Sequence, residues 1–182
     1  MVQKNQLRKQ YYKVRKKRYH EINKDFFIPL IKLIKLKFKG KIKIGLYYPS
    51  NYEVNILKIL EDDYVKKLNL FLPVIKKNNK MNFFKWKKNK VLFVNKFGML
   101  EPSKSKVEIP NLIIVPILVF DKYKFRLGYG KGFYDRYLTR YLKTFKNILT
   151  VGVAFSFQKY HKLPTENNDV KLNYILTEKG IF

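Results

Sequence analysis

Apolar and polar positions follow two rhythms along the chain, and the rhythms change places several times. Leu7, Tyr11, Val14 and Arg18 recur as one face of a helix, and Phe26, Leu30, Leu33 and Ile34 predict a second helix. Ile42, Ile44 and Leu46 then alternate with Lys41, Lys43 and Gly45, which predicts a strand running to Tyr48 and ended by Pro49. Helical spacing returns over residues 53–68 through Val54, Leu57, Leu60, Tyr64 and Leu68, and residues 70–75 and 81–86 read as strands. Residues 76–80 and 87–90 are short charged turns. The scheme repeats with a strand over 113–120, a helix after Lys131 and a strand over 148–155. Strands that alternate with helices predict an α/β fold of three layers, a mainly parallel sheet with right-handed crossovers and helices on both faces. Ligand sites in such sheets gather at the carboxyl ends of the strands, where Tyr48, Glu53, the loop before the last predicted helix and Gln158 all fall.

That loop, within Arg126-Leu-Gly-Tyr-Gly-Lys-Gly-Phe-Tyr-Asp-Arg-Tyr-Leu138, carries glycines at 128, 130 and 132. Glycines between a strand and a helix free backbone N–H groups to point at an anion, and the helix N-terminus adds partial positive charge there. The G-x-G-x-G spacing is neither G-x-G-x-x-G nor G-x-x-x-x-G-K-[ST], so a phosphate cradle and a tight structural turn both stay open. Arg126 and Lys131 are suited to neutralise phosphate oxygens. Asp135 is suited either to hold Mg²⁺ or simply to face the helix dipole. Lys4 and Arg8, one turn apart on the first helix, are placed to grip a triphosphate or to stand as solvated surface charges.

Length and composition suit one packed domain, 1–182. Fifteen Phe and fourteen Tyr among 46% apolar residues argue for a core that a disordered chain lacks. The chain has no cysteine, which excludes disulfides, thiolate-bound zinc and a thiol nucleophile. His20 and His161 stand in no zinc or triad pattern. The formal net charge of +27 raises a nucleic-acid reading. Only six of the forty basic residues are Arg, and the lysines are spread along the chain, unlike a base-reading surface. Lys, Asn, Ile, Phe and Tyr are abundant while alanine occurs once, at Ala154, which fits A/T-rich coding and makes the basicity mostly background. Eight basic residues precede Glu21 without an acid, yet no secretory apolar stretch and no membrane-length run accompany them. A soluble cytoplasmic protein, with neither a membrane nor a specific nucleic acid as partner, is the expectation.

The glycine stretch resembles the R-L-G-x-G-x-G-Y-Y-D motif of the 5-formyltetrahydrofolate cyclo-ligase (methenyltetrahydrofolate synthetase) family. Other pieces follow in that family's order. They are Lys4-Asn-Gln-Leu-Arg8, Tyr48-Pro-Ser-Asn-Tyr-Glu53-Val, Phe97-Gly-Met-Leu-Glu-Pro102, Val151-Gly-Val-Ala-Phe155, Gln158, Pro164-Thr-Glu-Asn-Asn-Asp169 and Thr177-Glu178. The resemblance spans nearly the whole chain. It implies an ATP- and Mg²⁺-dependent ring closure of 5-formyltetrahydrofolate, with or without a polyglutamyl tail, to 5,10-methenyltetrahydrofolate, ADP and phosphate, by a monomer.

Carried over by position, Lys4, Arg8, Arg126, Gly128, Tyr129, Gly130, Lys131 and Gly132 would bind ATP, with Lys131 and Arg126 catalytic. Tyr48, Glu53, Tyr129, Phe133 and Tyr134 would contact the folate, and Asp135 and Asp169 would hold Mg²⁺. Met81, Phe84 and Trp86 are further pterin or benzoate contacts or, for at least two of them, core. Departures from the family pattern are Phe133 in place of Tyr, Asn168 in place of His, and Asn55 and Asn173 in place of Asp. Two other classes remain: another ATP-using transferase or ligase on the same fold, and a basic RNA- or ribosome-binding protein with a relic loop.

Overall fold

The computed structural model describes residues 3–76 and 80–182. Helix α1 (Lys4–Arg18) is polar except for a narrow stripe that buries Leu7 and Arg15. A 3₁₀ turn at Lys24–Phe27 leads into α2 (Ile28–Lys37), which opens with proline in its first turn, where the missing N–H costs nothing. Strands β1 (Lys43–Gly45), β2 (Asn69–Ile75), β3 (Met81–Trp86), β6 (Val107–Glu108), β7 (Leu112–Pro116), β10 (Leu149–Val153), β12 (Tyr174–Thr177) and β13 (Gly180–Ile181) form one eight-stranded sheet. Its order is β13-β12-β10-β7-β1-β2-β3-β6. The five central strands, β12 to β2, are parallel; β13 and β3 run antiparallel to them, and β6, antiparallel to β3, returns to their direction. The mainly parallel α/β architecture is as predicted.

The sheet is covered on both faces because β7 is apolar on both. Leu112 and Ile114 join the core formed by Leu30 and Ile34 of α2 with Ile59 and Leu60. Ile113 and Val115 point the other way, into a core with Tyr137 and Leu138 of α4 (Phe133–Thr144). A third cluster joins Leu7 of α1 to Leu118, Val119 and Leu127. It belongs to a small sheet, β11-β8-β9, made of β8 (Val119–Asp121), β9 (Arg126–Leu127) and β11 (Lys159–Tyr160). A hairpin of β4 (Leu92–Val94) and β5 (Leu100–Pro102) stands apart as a third sheet.

Three expectations are corrected. The helix over 53–68 is instead a 3₁₀ segment, Ile56–Glu61, and a one-turn α3, Asp63–Lys66. Asp62 takes extended geometry and accepts from the N–H groups of Tyr64 and Val65 at 3.0 and 3.1 Å, so its side chain starts a new turn and ends the old one. The strand predicted over 113–120 breaks after Pro116. The carbonyls of Ile117 and Leu118 turn aside to receive the buried Gln158 amide, each at 2.9 Å, and the chain re-enters the small sheet as β8. The strand expected to reach Tyr48 leaves the ladder after Gly45, and Tyr47 instead donates its hydroxyl to Val54 O at 2.8 Å. Of the predicted turn 76–80, residues 77–79 lie outside the described residues.

Among the parallel strands the chain runs from β1 outward to β2, then back across to β7, β10 and β12, so the order reverses between β1 and β7. A crevice opens at the carboxyl ends of strands where successive connections diverge.

Candidate functional site

A cavity of about 1300 Å³ occupies that crevice. Tyr47, Tyr48 and the 50–53 turn reach it from the exit of β1, and Ile117 and Leu118 reach it from the exit of β7. Lys4 and Arg8 come from α1, residues 126–136 from β9 and the start of α4, and Glu166 to Asp169 from the segment before β12, except that Asn167 stays outside the lining. Every residue assigned above to ATP, folate or metal therefore lines one space. Of the three further aromatic or thioether contacts, only Met81 reaches the cavity; Phe84 and Trp86 are buried elsewhere, and Trp86 packs in the α2 core. Gln158 also stays out, its amide consumed by the β7 exit and the Phe155 N–H.

The glycine loop adopts geometry that side chains resist. Gly130 has φ +93° and Gly132, the residue preceding α4, has φ +65°. A Cβ on Gly132 would meet a guanidinium nitrogen of Arg136 at 2.7 Å, and one on Gly130 would crowd Arg8 Cζ at 3.3 Å. Arg8 can thus lie flat on the loop, donating from Nε to Gly128 O at 2.9 Å and from a terminal nitrogen to Asn5 Oδ1 at 2.6 Å. The loop delivers Lys131 and the positive end of α4 to the cavity. Lys131 Nζ sits 5.9 Å from the Phe97 ring, which in turn packs on Phe133 with centroids 5.7 Å apart. The 97–102 segment is held in place by Glu101, which accepts from Ile75 N at 2.7 Å and Asn95 Nδ2 at 2.6 Å.

The two predicted metal ligands line the same cavity although 34 positions separate them in sequence. Asp135 Oδ1 accepts from Arg126 at 2.7 Å and from the N–H of Val170, next to Asp169, at 3.5 Å. Asp169 Oδ2 accepts from Lys4 Nζ at 2.6 Å and from Glu166 N at 2.7 Å, and Lys4 also pairs with Glu166 at 3.0 Å. Burial alone would lower the Lys4 pKa, but its bonds to Asp169 and Glu166 outweigh that and leave it raised. The described residues hold no cluster of three or more His, Cys, Asp or Glu suited to a metal. A Mg²⁺ that also binds phosphate oxygens and water needs only one or two carboxylates, and Asp135 and Asp169, both in the cavity lining, are the residues that would supply them.

Also in the lining, Glu53 is buried, accepting from Ser50 N at 2.9 Å. Burial pushes its carboxyl up to about 7, a rise moderated by the Arg15 guanidinium and by the Ser50 N–H and hydroxyl. Tyr134 is raised too, by burial first and then by the nearby Glu53 charge, and its hydroxyl is buried without a partner. A carboxylate beside aromatic rings offers acceptors for ring N–H groups and flat apolar surface for a heterocycle. Arg15, absent from the sequence reading, is fully buried. It shares the α1 face of Lys4 and Arg8, being seven residues beyond Arg8, and that helical spacing was the signal available for finding it.

Asn173, one of the departures from the family pattern, accepts from Thr150 N and Oγ1 at 2.8 and 2.9 Å and so fastens strand ends away from the cavity; Asn168 lines it. No helix among the described residues is long and apolar enough to cross a membrane.

The model of the 5-formyltetrahydrofolate cyclo-ligase family matches residues 1–178. A 5-formyltetrahydrofolate cyclo-ligase of Haemophilus influenzae is 32% identical over 143 residues, covering 73% of this chain and 74% of that protein. Among solved structures, the 5,10-methenyltetrahydrofolate synthetase of Aquifex aeolicus superposes with a TM-score of 0.76 at 32% identity, over 99% of this chain and 92% of the other. A 5,10-methenyltetrahydrofolate synthetase from Mycoplasma pneumoniae gives a TM-score of 0.72 at 25% identity, over 97% and 99%.

Proposed function

Since the chain belongs to the 5-formyltetrahydrofolate cyclo-ligase family, we propose that it closes 5-formyltetrahydrofolate to 5,10-methenyltetrahydrofolate at the expense of ATP, as a monomeric, single-domain cytoplasmic enzyme of one-carbon metabolism. The observation that carries this reading is the convergence of four distant stretches of sequence on one cavity: a cationic, glycine-lined end and an aromatic, carboxylate-bearing end.

The two ends suit the two halves of the reaction. The formyl oxygen attacks the γ-phosphorus and ADP departs. N10 then bonds to the formyl carbon and loses its proton, and the former formyl oxygen leaves as part of phosphate. Phosphorylation turns an oxide, which cannot leave, into phosphate, which can. No protein nucleophile is needed, so the residues' work is alignment and charge neutralisation. Lys4, Arg8 and the amides of residues 128–132 hold the phosphates, and Lys131 and Arg126 face the charge that spreads during transfer. Bound Mg²⁺, held by Asp135 and Asp169, would neutralise phosphate oxygens and keep them in line. Lys4 would then give up part of its hold on Asp169 and turn to phosphate.

Tyr48, Glu53, Tyr129, Phe133 and Tyr134 enclose the pterin, Glu53 accepting from its N–H groups. Arg140 and Lys143, three residues apart on α4, also line the cavity and supply charge for a polyglutamyl tail. The high net charge adds a field that draws both polyanionic substrates.

The test is to mix protein, ATP, Mg²⁺ and 5-formyltetrahydrofolate and follow the near-ultraviolet absorbance of the methenyl product. Product from wild type, and none from Lys131→Ala, supports the proposal. ATP binding without product would point to a different transferase or ligase, and salt-sensitive RNA retention without product to a nucleic-acid-binding protein.

A further inference from the structure

Arg15 is a cation with no exposed surface and no place on the cavity wall. Burying such a charge is costly unless its donors are bonded; three acceptors from three separate segments take up both terminal nitrogens, while Nε is buried without a partner. One terminal nitrogen donates to Ile117 O at 3.0 Å, at the break between β7 and β8. The other donates to Asn51 O at 2.8 Å and to the Tyr129 hydroxyl, and the guanidinium carbon lies 5.4 Å from the centre of the Tyr129 ring. Among described residues it has no carboxylate in salt-bridge contact; its nearest acidic influence is Glu53, whose ionised form it favours.

Each acceptor sits at a point where the backbone has left regular structure. Asn51 and Tyr52 are consecutive non-glycine residues in left-handed conformation, at φ +49° and +64°, a turn that persists only when its surroundings hold it. The next residue in the same turn, Glu53, faces the cavity. Tyr129 stands between Gly128 and Gly130, in the loop where Gly130 and Gly132 take positive φ.

We propose that Arg15 is a positioning residue that ties the glycine loop to the Glu53 turn, so that the phosphate end and the pterin end of the cavity are held in one register. The proposal rests on the reading of those two ends given above. Arg15 touches neither substrate; it acts through the Tyr129 hydroxyl and the Asn51 carbonyl. Of the groups around Glu53 that carry or can carry charge, namely Arg15, Tyr47, Tyr129 and Tyr134, Arg15 alone is cationic.

The test uses the full chain and steady-state kinetics with each substrate varied in turn, for wild type, Arg15→Lys, Tyr129→Phe and the double variant. Arg15→Lys keeps the charge but loses the fork that reaches two segments from one nitrogen. Tyr129→Phe removes one hydroxyl from a half-exposed residue and leaves the fold in place. Loss of a hydrogen bond to a charged group predicts a fall of roughly tenfold or more in kcat/KM. For Arg15→Lys that fall is expected with ATP and with 5-formyltetrahydrofolate, carried largely by KM, and the double variant should be little worse than Arg15→Lys alone. A role confined to stability would lower kcat per milligram and the melting temperature while leaving both KM values at wild type, and that result overturns the proposal. Unchanged kinetics in Tyr129→Phe, or fully additive effects in the double variant, would overturn it as well. If wild type itself yields no product, the functional reading fails first. The tie is then read from hydrogen exchange: faster exchange at both 50–53 and 128–132 in Arg15→Lys upholds it, and unchanged exchange at either segment refutes it.

Discussion

Replacing Glu53 by Gln should make the protein more stable at neutral pH while weakening its hold on folate. In the folded chain the carboxyl keeps its proton up to about pH 7, whereas an ordinary glutamate releases it near 4.5. Between those values the native state binds more protons than the unfolded state, so stability is greatest below about 4.5 and falls as pH rises toward 7. At about 1.4 kcal/mol per pH decade, the ionised Glu53 costs about 3 kcal/mol at pH 8, after the relief that Arg15 and Ser50 give it. Gln retains the oxygen that accepts from Ser50 N but cannot ionise. Urea unfolding of both proteins from pH 5 to 8 gives the difference directly, because the other titrating groups cancel. The variant should gain little at pH 5 and about 3 kcal/mol at pH 8, with a raised KM for 5-formyltetrahydrofolate. A difference that does not change with pH, or a variant less stable than wild type at pH 8, would refute the reasoning.

Other expectations follow from single contacts. Gly132→Ala forces a side chain into φ +65° and against Arg136; it should cost about 1–2 kcal/mol in urea unfolding and raise the KM for ATP. Gln158→Leu strands the Phe155 N–H and removes a donor from the Ile117 and Leu118 carbonyls; a loss of roughly 3 kcal/mol is expected, seen as a lower midpoint at unchanged m-value.

The sheet was legible because its strands are short apolar runs bounded by charge. Residues 70–75 and 81–86 were readable as strands, and they form the hairpin β2–β3. What misled was local competition. Asp62 looked like one polar position on a helix, yet its carboxylate caps a new turn. Residues 113–120 looked like one strand because hydropathy does not register that Pro116 lacks an N–H or that Gln158 draws two carbonyls out of the ladder.

The residues that share the cavity were singled out by the family resemblance; spacing alone left the glycine loop open between a phosphate cradle and a turn, Asp135 between Mg²⁺ and the helix dipole, and Lys4 and Arg8 between a triphosphate and solvent. Arg15 was passed over although it shares the Arg8 face, because burial is invisible in sequence and it looks like one more charge in a basic helix. The expectation that at least two of Met81, Phe84 and Trp86 are core fits Phe84 and Trp86, which are buried away from the cavity; which of the three reaches it was not readable, because the alternation in β3 alone does not say which face meets the cavity.

A crystal structure with Mg²⁺, a non-hydrolysable ATP analogue and 5-formyltetrahydrofolate decides whether this one cavity takes both substrates. It should show the triphosphate within hydrogen-bond reach of the amides of residues 128–132 and of Lys131, the metal on Asp135 and Asp169, and the pterin against Glu53. A nucleotide seated away from the glycine loop, or a pterin outside the wall formed by Glu53 and Tyr134, would contradict the proposal.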